Sequence, residues 1–231
     1  MIRVLRWTKY VLAAGLGLLL AYQLWLFGWV LWWGVADPQM TNFMRIRLDE
    51  LREKNPQAQL QKQWVPYARI SGQLKRAVVS AEDGTFVHHE GFDWDGIQKA
   101  IEKNQRRGRI VAGGSTISQQ LAKNLFLSPD RKPWRKAEEA VITLMIETVW
   151  SKQRILEVYL NVIEWGNGVF GAEAAARHYF GTGAAQLTAA QAARLAGMIP
   201  SPRYYDRNRN ASGLTKKTAV LLERMPGAEI P

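Results

Sequence analysis

At 231 residues the chain has room for one soluble domain of ordinary size. It contains no cysteine, which excludes disulfides and thiolate metal sites. The net charge is +11, so the surface suits an anionic partner: nucleic acid, a lipid surface or a phosphorylated substrate.

Residues 1–9 carry Arg3, Arg6 and Lys9, and the first acidic residue is Asp37. Between them residues 10–36 hold no charge. A helix needs about 20 apolar residues to cross the hydrocarbon layer, so this run is long enough with some tilt. Trp25, Trp29, Trp32 and Trp33 crowd its second half, as in an interfacial aromatic belt. A cleaved signal peptide competes, but its apolar core would be roughly 7–15 residues long and end at small residues. The run therefore predicts a single transmembrane helix. The positive-inside rule leaves 1–9 in the cytoplasm and the remainder across the membrane.

Residues 37–66 read as a juxtamembrane segment. Phe43, Met44, Ile46, Leu48 and Leu51 form a loose apolar stripe among Arg45, Arg47, Arg52 and Lys54. Such a piece can lie on lipid headgroups or pack on the domain as a surface helix, and the sequence leaves both open.

From Ser71 onward the pattern is mostly helical. Ile97, Ala100 and Ile101 share a face that Gly108 ends. Ile117, Leu121 and Leu125 repeat at four. Residues 137–150 are apolar enough for a core helix. Ser151 is placed to cap the helix carrying Ile155, Leu156 and Tyr159. The alanine-rich helix from Ala172 to Phe180 stops at Gly181. Thr188 and Gln191 form a capping-box pattern, and Pro200 and Pro202 terminate the helix that this box opens. Strand signals are sparse, with Arg109 to Ala112 one short candidate. The tail after Ser201 is polar and reads as a loose wrap.

The chemistry-bearing residues concentrate in two blocks. Glu82 follows the apolar Ala77, Val78 and Val79 and precedes Phe86, Phe92 and Trp94. Partial burial there would raise its pKa and suit it to be a general base, with Asp83 pushing the same way; the plain alternative is an exposed Glu at a helix end. His88 and His89 invite a metal reading, but no third ligand lies at a diagnostic spacing, which favours structural histidines. Gly113 and Gly114 allow a close backbone approach before Ser115 caps a helix. With the leucines inward, Gln119, Gln120 and Lys123 share another face, facing a ligand or simply solvent. Arg131, Lys132, Arg135 and Lys136 form a dense cationic run, and Glu139 lies one turn after Arg135. Arginine suits bidentate phosphate contact. Glu139 could equally be a helix salt bridge worth ~0.3–0.5 kcal/mol. Separated carboxylates and fixed cations are the parts that sugar transfer from a phosphate leaving group requires.

These blocks resemble the peptidoglycan glycosyltransferase family, which includes monofunctional transglycosylases and one domain of bifunctional penicillin-binding proteins. The motif E-D-x-x-F-x-x-H-x-G is matched by Glu82, Asp83, Phe86, His89 and Gly91. G-G-S-T-I-[TS]-Q-Q-L-x-K-N is matched throughout 113–124, with Ser118 where Thr is usual. R-K-x-x-E is matched by Arg135, Lys136 and Glu139, and I-L-E-x-Y-L-N-x-x-x-x-G by Ile155 to Asn161 and Gly166.

The resemblance implies a mainly α, lysozyme-like, two-lobed glycosyltransferase domain over 67–231, part of it dipping into the bilayer. It implies polymerisation of lipid II into glycan strands, with inversion and loss of undecaprenyl diphosphate. Glu82 would be the base. Glu139 would position or stabilise the diphosphate, through a divalent cation (Mg or Mn) if one is used; no organic cofactor is implied. Lys123, Arg131, Arg135 and Lys136 would hold phosphates. Ser115, Thr116, Gln119, Gln120 and Asn124 would line the donor site, with Asp83, His89 and Asn161 also binding substrate. The implied partners are lipid II, the growing strand, membrane lipids, and penicillin-binding or cell-division proteins. Nucleic acid is not among them, since the anchor puts the domain outside the cytoplasm, on the periplasmic side of the inner membrane. No S-x-x-K or K-T-G motif occurs, which indicates the monofunctional form. The rival readings are a lysozyme-like lytic enzyme and a non-catalytic membrane-tethered scaffold.

Overall fold

The computed structural model describes residues 2–109, 113–129 and 132–231. They fall into two compact units that divide between Ala36 and Asp37. The first is a single helix, α1 (Ile2–Val35). Its stretch Lys9–Val35 is 27 residues long with mean hydropathy 1.8, long and apolar enough to cross a membrane. Tyr22, Trp25, Trp29 and Trp33 form a row along it with successive ring centroids 6.0, 6.4 and 5.2 Å apart, the separations that aromatic pairs favour.

The second unit is mainly α, as expected. It begins with α2 (Asn42–Arg52), capped by Thr41, whose hydroxyl accepts from the Met44 amide at 3.1 Å. Met44 and Arg47 are buried, so this part of 37–66 packs as a helix of the domain. Arg47 Nε donates to Glu164 Oε1 at 3.1 Å, and its Nη2 to Asn167 Oδ1 at 3.3 Å. Glu164 opens β2 (Glu164–Gly166), which pairs antiparallel with β3 (Val169–Phe170). β3 in turn pairs in parallel with β1 (Gln61–Lys62). Sequence reading found none of these strands, because two or three residues carry no measurable alternation. The strand expected at 109–112 lies, beyond Arg109, outside the described residues.

The helices around this small sheet are α3 (Gly72–Glu82), α4 (Trp94–Arg107), α5 (Ile117–Phe126), α6 (Pro133–Val149), α7 (Lys152–Val162), α8 (Ala172–Phe180), α9 (Ala189–Met198), α10 (Pro202–Arg207) and α11 (Ser212–Arg224). The centre is α7, where Ile155, Leu156, Val158, Tyr159, Leu160 and Val162 have no exposed surface. α5 packs against α2, α6 and α7, while α3 lies against α9 and α11. The predicted stops and caps are present. α4 and α8 end at Gly108 and Gly181, both in the left-handed region (φ +61° and +66°). Ser151 accepts from the Arg154 amide, and Thr188 with Gln191 forms a full capping box.

Three expectations need correction. Ile101 is half exposed, so only Ala100 of its trio is buried in α4. α6 is two-faced and not wholly core: Ile142 and Ile146 are buried, but Val141 and Leu144 face outward. The tail after Ser201 is ordered as α10 and α11. Leu214, Leu221 and Met225 recur at helical spacing there and bury against the domain, so the polar composition hid an amphipathic helix.

The Arg47–Glu164 pair is nearly solvent-free, with 4% exposure for either side chain. Burial raises the Glu164 pKa in spite of the attraction of Arg47. Removing Arg47 would leave the buried charge of Glu164 with only the longer contact of Arg203, at 3.9 Å. We expect Arg47→Ala to lose about 3–5 kcal/mol of stability at neutral pH by chemical denaturation. Since the folded-state pKa of Glu164 is raised, its neutral form is the one the fold tolerates. The deficit should therefore shrink as pH falls through that raised value.

Candidate active site

Glu82 is the last residue of α3, held in place by its neighbour. Asp83 is buried, and its Oδ2 accepts from the backbone N–H of Ile117, the first residue of α5, at 2.9 Å. A carboxylate there satisfies an orphan amide and complements the helix dipole. The Nε2 of His89 lies 2.9 and 3.1 Å from the two Asp83 oxygens, while its Nδ1 accepts from the Gly91 amide. The protonated ring nitrogen is therefore Nε2. Gly91 has φ +91°, and a Cβ on it would sit 2.8 Å from Thr143 Cγ2, so only glycine fits. The carbonyl of Gly91 accepts from the Thr116 hydroxyl at 2.7 Å.

These bonds lock the start of α5. Thr116 is its N-cap, and Gln119 completes a capping box by accepting from the Thr116 amide at 3.0 Å. The cap is thus Thr116, one residue after the predicted Ser115. Gly114 makes its close approach to Ile97 of α4, where a Cβ would meet the Ile97 Cα at 3.2 Å; Gly113 faces open space. Gly114 thus serves the packing of α4 against this turn.

With α5 fixed, its polar face meets Glu82. Gln120 Nε2 donates to Glu82 Oε2 at 2.8 Å, and Tyr159 of α7 donates its hydroxyl to Gln120 Oε1 at 2.9 Å. Burial raises the Glu82 pKa. The Gln120 bond and the charges of Lys217 and Lys123 oppose that rise, and Asp83 adds to it. Tyr159 is wholly buried, and burial with the nearby Glu82 and Asp83 drives its pKa well above the usual phenol range. One turn beyond Gln120, burial lowers the pKa of Lys123. Arg135 and Lys136 push the same way, and Glu139 and Glu82 resist. Lys123 makes no ion pair among the described residues.

The cations of α6 have a partner of their own. Arg135 Nη1 lies 3.0 Å from Glu139 Oε2, and the ammonium of Lys136 contacts Glu139 Oε1 and reaches Ser115 Oγ at 3.3 Å. Glu139 is thus the partner of a helix ion pair, and its charge acts on Lys123. Glu139 is the carboxylate a divalent ion would need, yet both of its oxygens are engaged by cations. No group of three or more His, Asp or Glu side chains able to hold a metal occurs among the described residues. The donors present do not fit a protein-held Mg or Mn ion, and no step of the reaction is routed through one.

Two hollows are lined by the bonded pair, one by Gln120 and the other by Glu82. A groove of about 610 Å³ is lined by Gln120, Lys123, Asn124 and Tyr159, with Tyr204, Arg203 and Arg207 on its far wall. A smaller hollow of about 160 Å³ is lined by Glu82, Asp83 and residues 113–116. Of the predicted site residues, Glu82, Ser115, Gln120, Lys123, Asn124, Arg135, Lys136 and Glu139 are brought together. Asp83, His89, Thr116, Gln119 and Asn161 are held by structural hydrogen bonds. Asn161, for example, accepts from the Val65 amide and donates to the carbonyls of Val65 and Glu157. Arg131 lies outside the described residues. Sequence reasoning missed Tyr159 as a site group, although a hydroxyl on the buried face of α7 was its signal. It also missed Lys217, hidden in the supposed loose tail.

A shielded carboxylate with a raised pKa, beside a cluster of fixed cations in a groove, defines an enzyme that activates a hydroxyl against an anionic leaving group. Residues 49–226 match the family model described as Transglycosylase, and the chain belongs to that family. It is 69% identical over 226 residues to a biosynthetic peptidoglycan transglycosylase of Dechloromonas aromatica (strain RCB), covering 98% of each chain. Proteins of the same name from Methylobacillus flagellatus and Azoarcus sp. (strain BH72) are each 62% identical. The first match covers 100% of both chains, the second 98% of this chain and 97% of the relative. The expected lysozyme-like helical domain is thereby that of the transglycosylase family.

The raised pKa of Glu82 has a thermodynamic consequence. Its neutral form suits the fold, a contribution that is intact below the ordinary Glu pKa of about 4.3 and lost as pH rises through the raised folded value. We expect Glu82→Gln to melt higher than the parent at pH 8, with the difference fading below about pH 4 in thermal scans.

Proposed function

We propose that the protein polymerises lipid II into glycan strands in cell wall biosynthesis. The observation that carries this reading is Glu82, its pKa raised by burial, bonded to Gln120 one turn from Lys123. In the forward step Glu82 takes the proton of the acceptor sugar's hydroxyl. That oxygen forms a bond to the anomeric carbon of the donor while the bond from that carbon to the diphosphate oxygen breaks. Attack and departure on opposite faces invert the centre, and no covalent sugar–enzyme intermediate forms (compare the inverting hydrolases). The products are a longer strand and undecaprenyl diphosphate. Negative charge grows on the departing oxygen, where Lys123, Arg135 and Lys136 are preorganised to meet it.

α1 anchors the domain in the membrane that holds the lipid-linked substrate. By the positive-inside rule Arg3, Arg6 and Lys9 favour a cytoplasmic N-terminus, and with it a catalytic domain on the periplasmic face of the inner membrane. A lytic reading is disfavoured because glycan cleavage has no use for a cationic cluster around Lys123.

Glu82→Gln should reduce lipid II polymerisation by about 10²–10⁴-fold, the usual worth of a general base, with the far-ultraviolet spectrum unchanged. A variant polymerising at the parent rate would remove Glu82 from the base role. Shortened glycan from pre-made strands, with no polymer from lipid II, would favour lysis. Lys123→Met should lower kcat by about 10²–10³-fold, the scale for losing one preorganised charge-stabilising group. It should also move the acid limb of the kcat profile to higher pH, since one cation opposing the burial of Glu82 is gone.

A further inference from the structure

We infer that Tyr159 is a positioning residue for the reaction, fixing through Gln120 which oxygen of Glu82 receives the proton. The inference rests on Glu82 being the base. Three groups form one directed chain: Tyr159 Oη–H to Gln120 Oε1 at 2.9 Å, then Gln120 Nε2–H to Glu82 Oε2 at 2.8 Å. A primary amide has two ends, and nothing in its shape decides which end faces the carboxylate. Two partners decide it together: the ionised carboxylate, which can only accept, and the Tyr159 hydroxyl, which donates. By donating to Oε1 the hydroxyl turns the NH₂ end toward Glu82, where it can only donate. Glu82 Oε2 then carries the amide bond, and Oε1, which receives none from Gln120, is the freer acceptor for a sugar proton.

The chain comes from three separate helices, α3, α5 and α7, and its origin is wholly buried. The ring of Tyr159 cannot swing away without opening the core. Reversing the amide would set Gln120 Oε1 against an ionised carboxylate, which is repulsive. A protonated Glu82 would accept that reversal, because its O–H could donate to Oε1 while Nε2 donated to the tyrosine oxygen. The orientation that Tyr159 imposes is therefore the one that suits the ionised, reactive base. The other charges facing Glu82 are Lys123 of α5, Lys217 of α11 and its neighbour Asp83. Arg194 of α9, which packs on α3, is turned to the carbonyl of Arg209. None of these fixes the amide.

The test is Tyr159→Phe in the full-length, membrane-anchored protein, assayed on lipid II across pH. Loss of one neutral hydrogen bond in the transition state predicts a kcat about fivefold lower with KM unchanged. The acid limb of kcat should move to higher pH, because a mobile amide stabilises the carboxylate less. Combined with Gln120→Ala, Tyr159→Phe should cost nothing further, since the tyrosine acts only through the amide. Parental kcat and acid limb in Tyr159→Phe, or costs that add in the double variant, would overturn the inference. Should Tyr159→Phe fail to fold, 3-fluorotyrosine introduced at 159 keeps the shape and donates more strongly. It should move the acid limb to lower pH, and an unmoved limb would equally overturn the inference. A fully active Glu82→Gln would instead sink the base assignment beneath it.

Discussion

A general base and a cationic clamp for a departing anion make opposite demands on the same short stretch of protein. Cations near a carboxylate hold it ionised at low pKa and blunt it as a base, whereas desolvation sharpens it. The chain reconciles the two along α5. Gln120, facing Glu82, is a neutral amide, so the base receives a directed hydrogen bond without a full charge. The cation appears one turn later, at Lys123, and the denser pair beyond it, Arg135 with Lys136, is partly neutralised by Glu139. The result is a gradient: a carboxylate raised by burial at one end and positive charge at the other. Lys123 is shared by both, its own pKa lowered by burial and by its cationic neighbours.

That gradient requires α5 to sit in one register against α3, and the buried polar residues set it. Asp83 ties the end of α3 to the first amide of α5. His89 and Gly91 fix the intervening loop to Asp83, and Thr116 returns a bond to Gly91. Each group buried here has its partner, so the network stiffens the site instead of weakening it. A site of this kind opposes stability at Glu82 and Lys123. The apolar centre in α7 supplies what offsets it.

Local signals in the sequence read well and distant ones did not. The glycine stops at Gly108 and Gly181, the cap at Ser151 and the box at Thr188–Gln191 depend on residues within one turn of each other. The face of α5 that carries Gln120 and Lys123 comes from the spacing of Ile117, Leu121 and Leu125. What could not be read was whether a polar residue faces substrate or satisfies the backbone. The Ile117 amide that occupies Asp83 is 34 positions away, and the Val65 groups that occupy Asn161 are 96 positions away. A run of polar residues looks the same in both roles until the partner is known. The strands failed for a different reason, being too short for a period to show.

The C-terminal region shows how a composition argument can mislead about a site. Residues after Ser201 are rich in Arg, Asn and Lys, which reads as solvated chain. Yet Leu214, Leu221 and Met225 pin α11 beside α3, and this delivers the charge of Lys217 toward Glu82 while α10 brings Arg203 and Arg207 to the wall of the groove. A basic surface segment thus becomes part of an anion-binding cleft once its few apolar side chains are buried. Much of the groove's positive charge comes from there, outside the motif blocks at 82–91, 113–124 and 135–139. For a substrate that carries its charge on a diphosphate, cations on both walls draw the ligand in. In the proposed reaction Lys123, Arg135 and Lys136 are the described cations assigned to the charge that develops as the bond breaks, a role that separates groups that accelerate from groups that bind.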